Sequence, residues 1–369
     1  MALARRGHRV TVFTGTDDAY PPCDGVRVRR HRMLDLSVEH AGGDSTAGEL
    51  RSWFRRELSL SGQIRLVHGH NLHHFSSAPA RALKSLQREL KLVLPHTYHS
   101  IWRTAKGERT ARDCAIWDAH YAVSDFLVRE CTEVLGISVF RTYLGVDTSA
   151  YLQVPKLAEI GPRPNLLLPA RLIPDKDATV AVKAFDRIIA RSVGPRPRLV
   201  LTDPADTVDF HSERNGFRTE LADLISECGL SRGRGPEVDV EFRPAQLEEM
   251  VRLYSEATVV IYPSRFGEPM GLAPLDAMCA ARPVVATKVG GLIEGGSEFL
   301  VPDETEDKVA DGLAEKVLRL LEDPGHARRA GVAAREHVLA EFDLERVYVD
   351  PMLAEYERLL AMWPMALAV

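Results

Sequence analysis

Two carboxylates eight positions apart, Glu268 and Asp276, flank a glycine-bearing turn in Pro263-Ser264-Arg265-Phe266-Gly267-Glu268-Pro269-Met270-Gly271-Leu272-Ala273-Pro274-Leu275-Asp276. Apolar Ala257–Tyr262 ahead of them reads as a buried strand, and the residues from about Leu272 to Ala280 read as a helix. Pro269 fits just before a helix. Pro274 is tolerated only in the first turn, where a missing N–H costs little. The N–H groups of Met270, Gly271 and Leu272 then point ahead of the helix, an arrangement that binds anions, phosphate above all. Carboxylates on either side would accept hydroxyls flanking that phosphate. A nucleotide sugar has this order of parts: hexose, diphosphate, ribose. The plainer alternative is a loop acid followed by an acid that only favours the helix dipole.

Other residues extend the pattern. Arg171 and Lys176 follow the strand-like Asn165–Pro169 and precede a helix. Arg offers planar bidentate phosphate contacts and Lys a point charge, so together they could balance charge growing on a departing diphosphate. Two solvated basic residues would look the same in isolation. His99 ends the run Val93-Leu94-Pro95-His96-Thr97-Tyr98-His99, with His96 equally titratable. His70 and Asn71 end another strand-like run and are weaker candidates, for the acceptor side. Gly290 and Gly291 make a turn that lets backbone approach closely.

The acidic stretch resembles the E-x7-E motif of retaining glycosyltransferases of GT-B architecture, the large family that includes sucrose-phosphate synthases and mycothiol-pathway enzymes. Glu268 matches the first acid, and Asp276 stands one methylene short of the second. Ala170–Asp177 resembles the family's G-R-x-x-x-x-K segment, His99 its first-domain histidine near the reaction centre, and Val289–Glu294 its V-G-G-x-x-E turn. Phe242 and Arg243 fall where relatives place the nucleotide base. The resemblance implies two Rossmann-like domains and a metal-independent sugar transfer to a hydroxyl, on the face that the diphosphate leaves. Glu268 would hold sugar hydroxyls, Arg171, Lys176 and the Gly271 and Leu272 N–H groups the diphosphate, and Asp276 the ribose. The donor is expected to be UDP-linked, the acceptor a hydroxylated small molecule or glycan. Two departures stand out: Thr202-Asp203-Pro204-Ala205-Asp206 replaces a glycine-rich turn, and Leu144-Gly145-Val146-Asp147 replaces Asn-Gly-Val-Asp. A catalytically silent sugar-nucleotide-binding subunit and a sugar-nucleotide epimerase are the competing readings.

Composition agrees with a globular protein. The chain has 369 residues, enough for two domains, with 45% hydrophobic and 27% charged residues. A net charge of −5 gives no basic field of the kind nucleic acid needs. Arg51–Arg56 encloses Trp53 and Phe54 and could face a membrane or an acceptor, though a surface helix with snorkelling arginines explains it as well. Five scattered cysteines, none in a C-x-x-C pair, suit a reducing cytosol, and no apolar run spans a membrane. His68, His70, His73 and His74 lack a Cys or acidic neighbour at zinc-like spacing. Asp175-Lys176-Asp177 spells D-x-D around a lysine; neither group predicts a metal.

These residues need rigid elements to place them. Strand-like runs at His8–Thr14, Gly25–Arg30, Ile64–Gly69, Lys91–Pro95, Ala119–Val123 and Val139–Leu144 alternate with helical spacing at Ala78–Leu90 and Asp125–Leu135. A second series begins at Asn165–Pro169 and continues through Arg198–Thr202, Val238–Phe242, Thr258–Tyr262, Pro283–Thr287 and Phe299–Val301. Two α/β domains with parallel sheets follow, 1–147 on the acceptor side and 148–346 for the nucleotide sugar, with a boundary in Asp147–Arg163. By resemblance, the helical C-terminus (347–369) crosses back to the first domain. Relatives open with a strand, a loop and a helix ahead of residues matching Ala2–Phe13. A first-domain sheet with a vacant place is therefore expected, and a chain shortened by on the order of 30 residues.

Overall fold

The computed structural model describes residues 2–16, 23–35, 44–62, 64–72, 77–101, 116–157, 160–202, 214–235, 237–245 and 247–366. The chain divides into two compact units, Met1–Tyr143 with Glu345–Val369, and Leu144–Leu344.

The first unit opens with a short helix, α1 (Ala2–Arg5), then β1 (Val10–Thr14) and β2 (Val26–Arg30), which pair in parallel from Val10↔Val26 to Thr14↔Arg30. Next come α2 (Asp44–Leu60), β3 (Gly69–His70), α3 (Ala78–Leu90), β4 (Pro95–Tyr98), β5 (Ala119–Ala122), α4 (Asp125–Leu135) and β6 (Phe140–Arg141). Strands β3 to β6 form a second parallel sheet in that order. Among the described residues no ladder joins the two sheets. Both sheets still share one apolar cluster. Phe13 of β1 meets Trp53 and Phe54 of α2 edge-on, with centroids 5.5 and 5.7 Å apart, in the cluster that contains Leu83, Leu86, Leu92 and Leu94.

That packing decides the reading of Arg51–Arg56. Trp53 and Phe54 face the core, while Arg55 pairs with Glu89 at 2.7 Å. The aromatic residues are therefore no membrane or acceptor surface. The predicted strand Lys91–Pro95 is displaced. Lys91 caps α3 in the left-handed region, and Val93 only bridges Leu66, so the regular ladder starts at Pro95.

After a π-helical turn at Glu345–Val349, α11 (Asp350–Ala366) packs on this first unit. Met352 and Leu359 join Val93, Ala119 and Tyr121, and the Tyr121 hydroxyl donates to Glu355 at 2.9 Å.

The second unit carries β7 (Asn165–Leu168), α5 (Ala178–Arg191), β8 (Arg198–Thr202), α6 (Arg214–Glu227), β9 (Arg232–Gly233), β10 (Val240–Arg243), α7 (Leu247–Glu256), β11 (Val259–Tyr262), α8 (Leu272–Cys279), β12 (Val284–Thr287), β13 (Phe299–Val301), α9 (Glu306–Glu322) and α10 (Pro324–Glu341). Its parallel sheet has the order β13-β12-β11-β7-β8-β10-β9. Leu166–Leu168, Leu199–Leu201 and Val259–Ile261 are unbroken apolar runs because the sheet is buried on both faces. From β7 the chain builds outward on one side through β8, and later returns to β7's other side with β11. The order thus reverses between β7 and β11, and the crevice beyond their carboxyl ends is where open α/β sheets hold ligands.

The division between units falls at Tyr143/Leu144, ahead of the predicted Asp147–Arg163. The Val146 N–H donates to the Phe342 carbonyl at 2.8 Å and Leu344 N–H to Val146 at 3.0 Å, so residues 144–147 are zipped to the second unit. Farther on, two buried arginines hold the connecting segment. Arg335 donates to the carbonyls of Val154 and Cys279, each at 2.7 Å, and Arg282 to those of Tyr254, Ser255 and Pro155 at 2.8 to 3.0 Å, and to that of Ala281 at 3.2 Å.

Candidate active site

The β7 and β11 exits bring together residues far apart in sequence. Beyond β7, a 3₁₀ turn at Pro174–Lys176 ends at Asp177, whose φ of +49° redirects the chain into α5. Lys176 leaves this turn and forms a direct ion pair with Glu268, on the loop after β11. The Tyr262 hydroxyl, at the end of β11, donates to the same Glu268 oxygen, Oε1, at 3.1 Å. Glu268 and Tyr262 are each only 4% exposed. Arg171 completes the group: burial and the Glu268 charge raise the Tyr262 phenol well above its usual range, and the Arg171 charge opposes them.

Neighbouring loops are stitched to hold this geometry. Asp177 accepts the Arg265 N–H at 2.7 Å, and the Ser264 hydroxyl donates to the Asp175 carbonyl at 2.9 Å. The carboxylate of the D-x-D lookalike at Asp177 therefore works as a loop brace, and burial raises its pKa. Thr202 steadies the Arg171 loop by donating to the Ala170 carbonyl at 3.1 Å. Asp203–Asp206, the departure at the end of β8, lie outside the described residues.

Gly290 and Gly291 have a specific task. A Cβ on Gly290 would lie 2.5 Å from the Glu268 carbonyl oxygen, and one on Gly291 would strike Pro269. The Gly291 N–H donates to that Glu268 carbonyl at 2.7 Å. The glycine turn is thus the seat of the Glu268 loop. Gly271, with φ +80°, stands at the N-terminus of α8. Among the described residues the N–H groups of Met270, Gly271 and Leu272 reach no protein acceptor, leaving an open helix end of the kind that can receive an anion next to Lys176 and Glu268.

Asp276 belongs to a different group. On α8 it accepts a hydrogen bond from Tyr151 and also faces Tyr254 and Cys279. Burial raises its pKa to about 7, against the stabilising Tyr151 bond. Phe242 and Arg243 end β10, beyond β8 from the switch point. The Arg243 side chain is tied to Glu241 at 3.1 Å and Glu256 at 2.7 Å.

In the first unit, His70 and His99 end β3 and β4 with Nδ1 and Nε2 3.1 Å apart. His68 stacks on His70 with centroids 4.3 Å apart and meets the Tyr356 hydroxyl at 2.6 Å. Burial, then the neighbouring His70, lowers His99 to about 4, so the ring is neutral near pH 7. Asn71, proposed above for the acceptor side, is committed to the fold. In the left-handed region at φ +53°, it accepts the N–H groups of His99 and Ser100 at 3.1 and 3.2 Å. His96 is a core residue, fully buried and accepting the Leu72 N–H at 3.3 Å. His73 and His74 lie outside the described residues.

Residues 163–323 match the family model described as glycosyl transferases group 1, and residues 1–150 that of glycosyltransferase family 4. The alpha-maltose-1-phosphate synthase of Mycolicibacterium smegmatis is 32% identical over 332 residues, which cover 84% of this chain and 78% of that protein. The chain belongs to the group 1, family 4 glycosyltransferases. It is also 28% identical to the D-inositol 3-phosphate glycosyltransferase of Kineococcus radiotolerans, over 90% of this chain and 82% of that one. Its fold is GT-B. The sucrose-phosphate synthase of Thermosynechococcus elongatus superposes with a TM-score of 0.76 at 23% identity, covering 98% of this chain and 91% of that one. Anabaena HepE, solved with UDP and glucose, gives 0.69 at 18% identity over 90% and 86%. Sequence reasoning missed Tyr262, Tyr151 and Thr202, which hydrogen-bond Glu268, Asp276 and the Ala170 carbonyl of the candidate site. For Tyr262 and Thr202 the available signal was a polar-tipped residue ending a buried strand; Tyr151 follows the 3₁₀ turn Thr148–Ala150 in the connecting segment and gave none.

Proposed function

We propose that this glycosyltransferase moves a sugar from a nucleoside-diphosphate sugar to a hydroxyl acceptor, with retention and without a metal ion. The observation that carries the reading is the meeting of Lys176 and Glu268 beside the open N-terminus of α8 at the β7/β11 switch point. Glu268 accepts hydrogen bonds from the sugar hydroxyls. Lys176, Arg171 and the Gly271 and Leu272 N–H groups receive the diphosphate, and Asp276 the ribose. The acceptor oxygen bonds to the anomeric carbon as the carbon–oxygen bond to diphosphate breaks. The acceptor proton passes to a leaving phosphate oxygen, so no side-chain base is required. The protein positions the partners and stabilises charge on the leaving group. His99, a neutral ring, keeps the role that the resemblance gives it, the first-domain histidine of the family.

A panel of UDP-, ADP-, GDP- and dTDP-glucose with mixed hydroxyl acceptors tests this by mass spectrometry, with UDP tried first. Transfer or slow sugar release from at least one donor is expected, with the product anomer retained. Tight binding without turnover across the panel overturns the transferase reading. Chelator should leave the rate unchanged; inhibition reversed by Mn²⁺ would contradict the metal-free chemistry.

A further inference from the structure

The functional reading gives Tyr262 no part, yet this side chain is placed more exactingly than packing requires. The rest of its strand, Val259–Ile261, is wholly apolar and buried. A phenol at the end of such a strand brings a hydroxyl that needs a partner once dehydrated. Its acceptor is Glu268 Oε1, at 3.1 Å. Lys176 Nζ takes the same oxygen and lies 5.8 Å from the centroid of the Tyr262 ring. Among the described residues nothing donates to Glu268 Oε2.

We infer that Tyr262 is a positioning residue that anchors Glu268 Oε1, so that Oε2 is presented to a hydroxyl of the donor sugar while Lys176 can share its charge with the diphosphate. The inference rests on the functional reading above. With Lys176 as its sole partner, the carboxylate would turn with the flexible ammonium and compete with the diphosphate for it. The phenol comes from a rigid strand and fixes one oxygen regardless of where Lys176 points. Its ring beside the ammonium also limits the directions that Lys176 can take.

Tyr262→Phe keeps the ring and removes only the hydroxyl, and a thermal midpoint within a few degrees of the parent shows that it is folded. The probes are UDP and UDP-glucose, or the matching pair for whichever base the donor panel selects, titrated calorimetrically. Loss of one hydrogen bond to a charged group predicts nucleotide-sugar binding weaker by about tenfold or more, with the nucleoside diphosphate alone within about twofold. A purely structural role would weaken both ligands alike or neither, and either result overturns the inference. Glu268→Gln separates the two levels. If it leaves nucleotide-sugar affinity unchanged, the assignment of Glu268 fails first. If it weakens binding and Tyr262→Phe does not, only the role of Tyr262 falls. The double variant should bind about as weakly as Glu268→Gln alone, because both changes break one unit; additive losses would count against it.

Discussion

The Lys176 ammonium and the Glu268 carboxylate, 92 positions apart in sequence, share one ion pair across the exits of two adjacent parallel strands. The pair is largely shielded, with side-chain exposures of 14% and 6%. Each group therefore depends on the other for folding as well as for any chemistry. Removing one partner of a shielded pair typically costs about 3 kcal/mol or more, whereas replacing both by neutral groups costs less. Lys176→Ala should unfold earlier than Lys176→Met/Glu268→Gln in denaturant melts. Both should lose roughly a hundredfold or more in transfer rate, since a charge aimed at the leaving group is gone. A folded Lys176→Ala enzyme with near-parental turnover would end the diphosphate assignment.

Asp276 should make donor binding pH-dependent. Its pKa is raised to about 7, mainly by burial, with Tyr151 opposing the shift and Tyr254 and Cys279 as the other titratable neighbours. Raised carboxylate pKa values mean that ionisation opposes folding: the stability held in the protonated form is lost as pH rises from about 4 towards 7. The melting advantage of Asp276→Asn over the parent should accordingly grow across that window. The nucleotide-sugar KM should fall as pH rises through 7 in the parent and stay flat in Asp276→Asn. A KM independent of pH in both would remove Asp276 from donor recognition.

Gly290→Ala tests the seat of the Glu268 loop. At φ +49° with a carbonyl oxygen 2.5 Å from the new Cβ, the substitution combines backbone strain with a clash. Strain of this kind costs on the order of 1–3 kcal/mol. Because the loop that yields is the one bearing Glu268, activity should drop further than stability does. Comparing kcat/KM with the thermal midpoint checks it, and a stability loss without an activity loss would refute the coupling.

Asn71→Ala should loosen the turn that carries His99. It deletes two hydrogen bonds to the backbone and a third to the Ser100 hydroxyl, and puts alanine at φ +53°. About 1–3 kcal/mol of stability should be lost. Proton NMR titration should show His99 moving up from about 4 towards an ordinary histidine value as its cover loosens. An unchanged titration would mean that the turn holds without Asn71.

Much of this was legible beforehand. The apolar strands of the second unit fell within a residue or two of their positions, because buried parallel strands are continuous runs bounded by polar turns. The same rule failed for Lys91–Pro95: its apolar run is real, but left-handed Lys91 and Pro95 decide where the ladder starts. Sequence placed Lys176 and Glu268 each at a strand exit, but not their ion pair, which depends on β7 and β11 being neighbours in the sheet. That Asn71 braces a turn and that Gly290 seats Glu268 depend on contacts across different segments, which spacing along one chain does not encode. Tyr262 was hidden because a tyrosine ending an apolar run looks like one more core residue.

The two buried arginines at the far end of α8 carry a consequence for ligand capture. Arg335 and Arg282 donate to the carbonyls of Cys279 and Ala281, where this two-turn helix ends. So short a helix would fray in isolation, and its leading amides would wander with it. Clamped from behind by fixed cations, it behaves as a stiff lever whose free tip is the row of N–H groups at Met270–Leu272. The entropy of ordering those amides is met when the chain folds rather than when an anion arrives. The stiffness of the tip is thereby set in part from α10, at the opposite end of the helix.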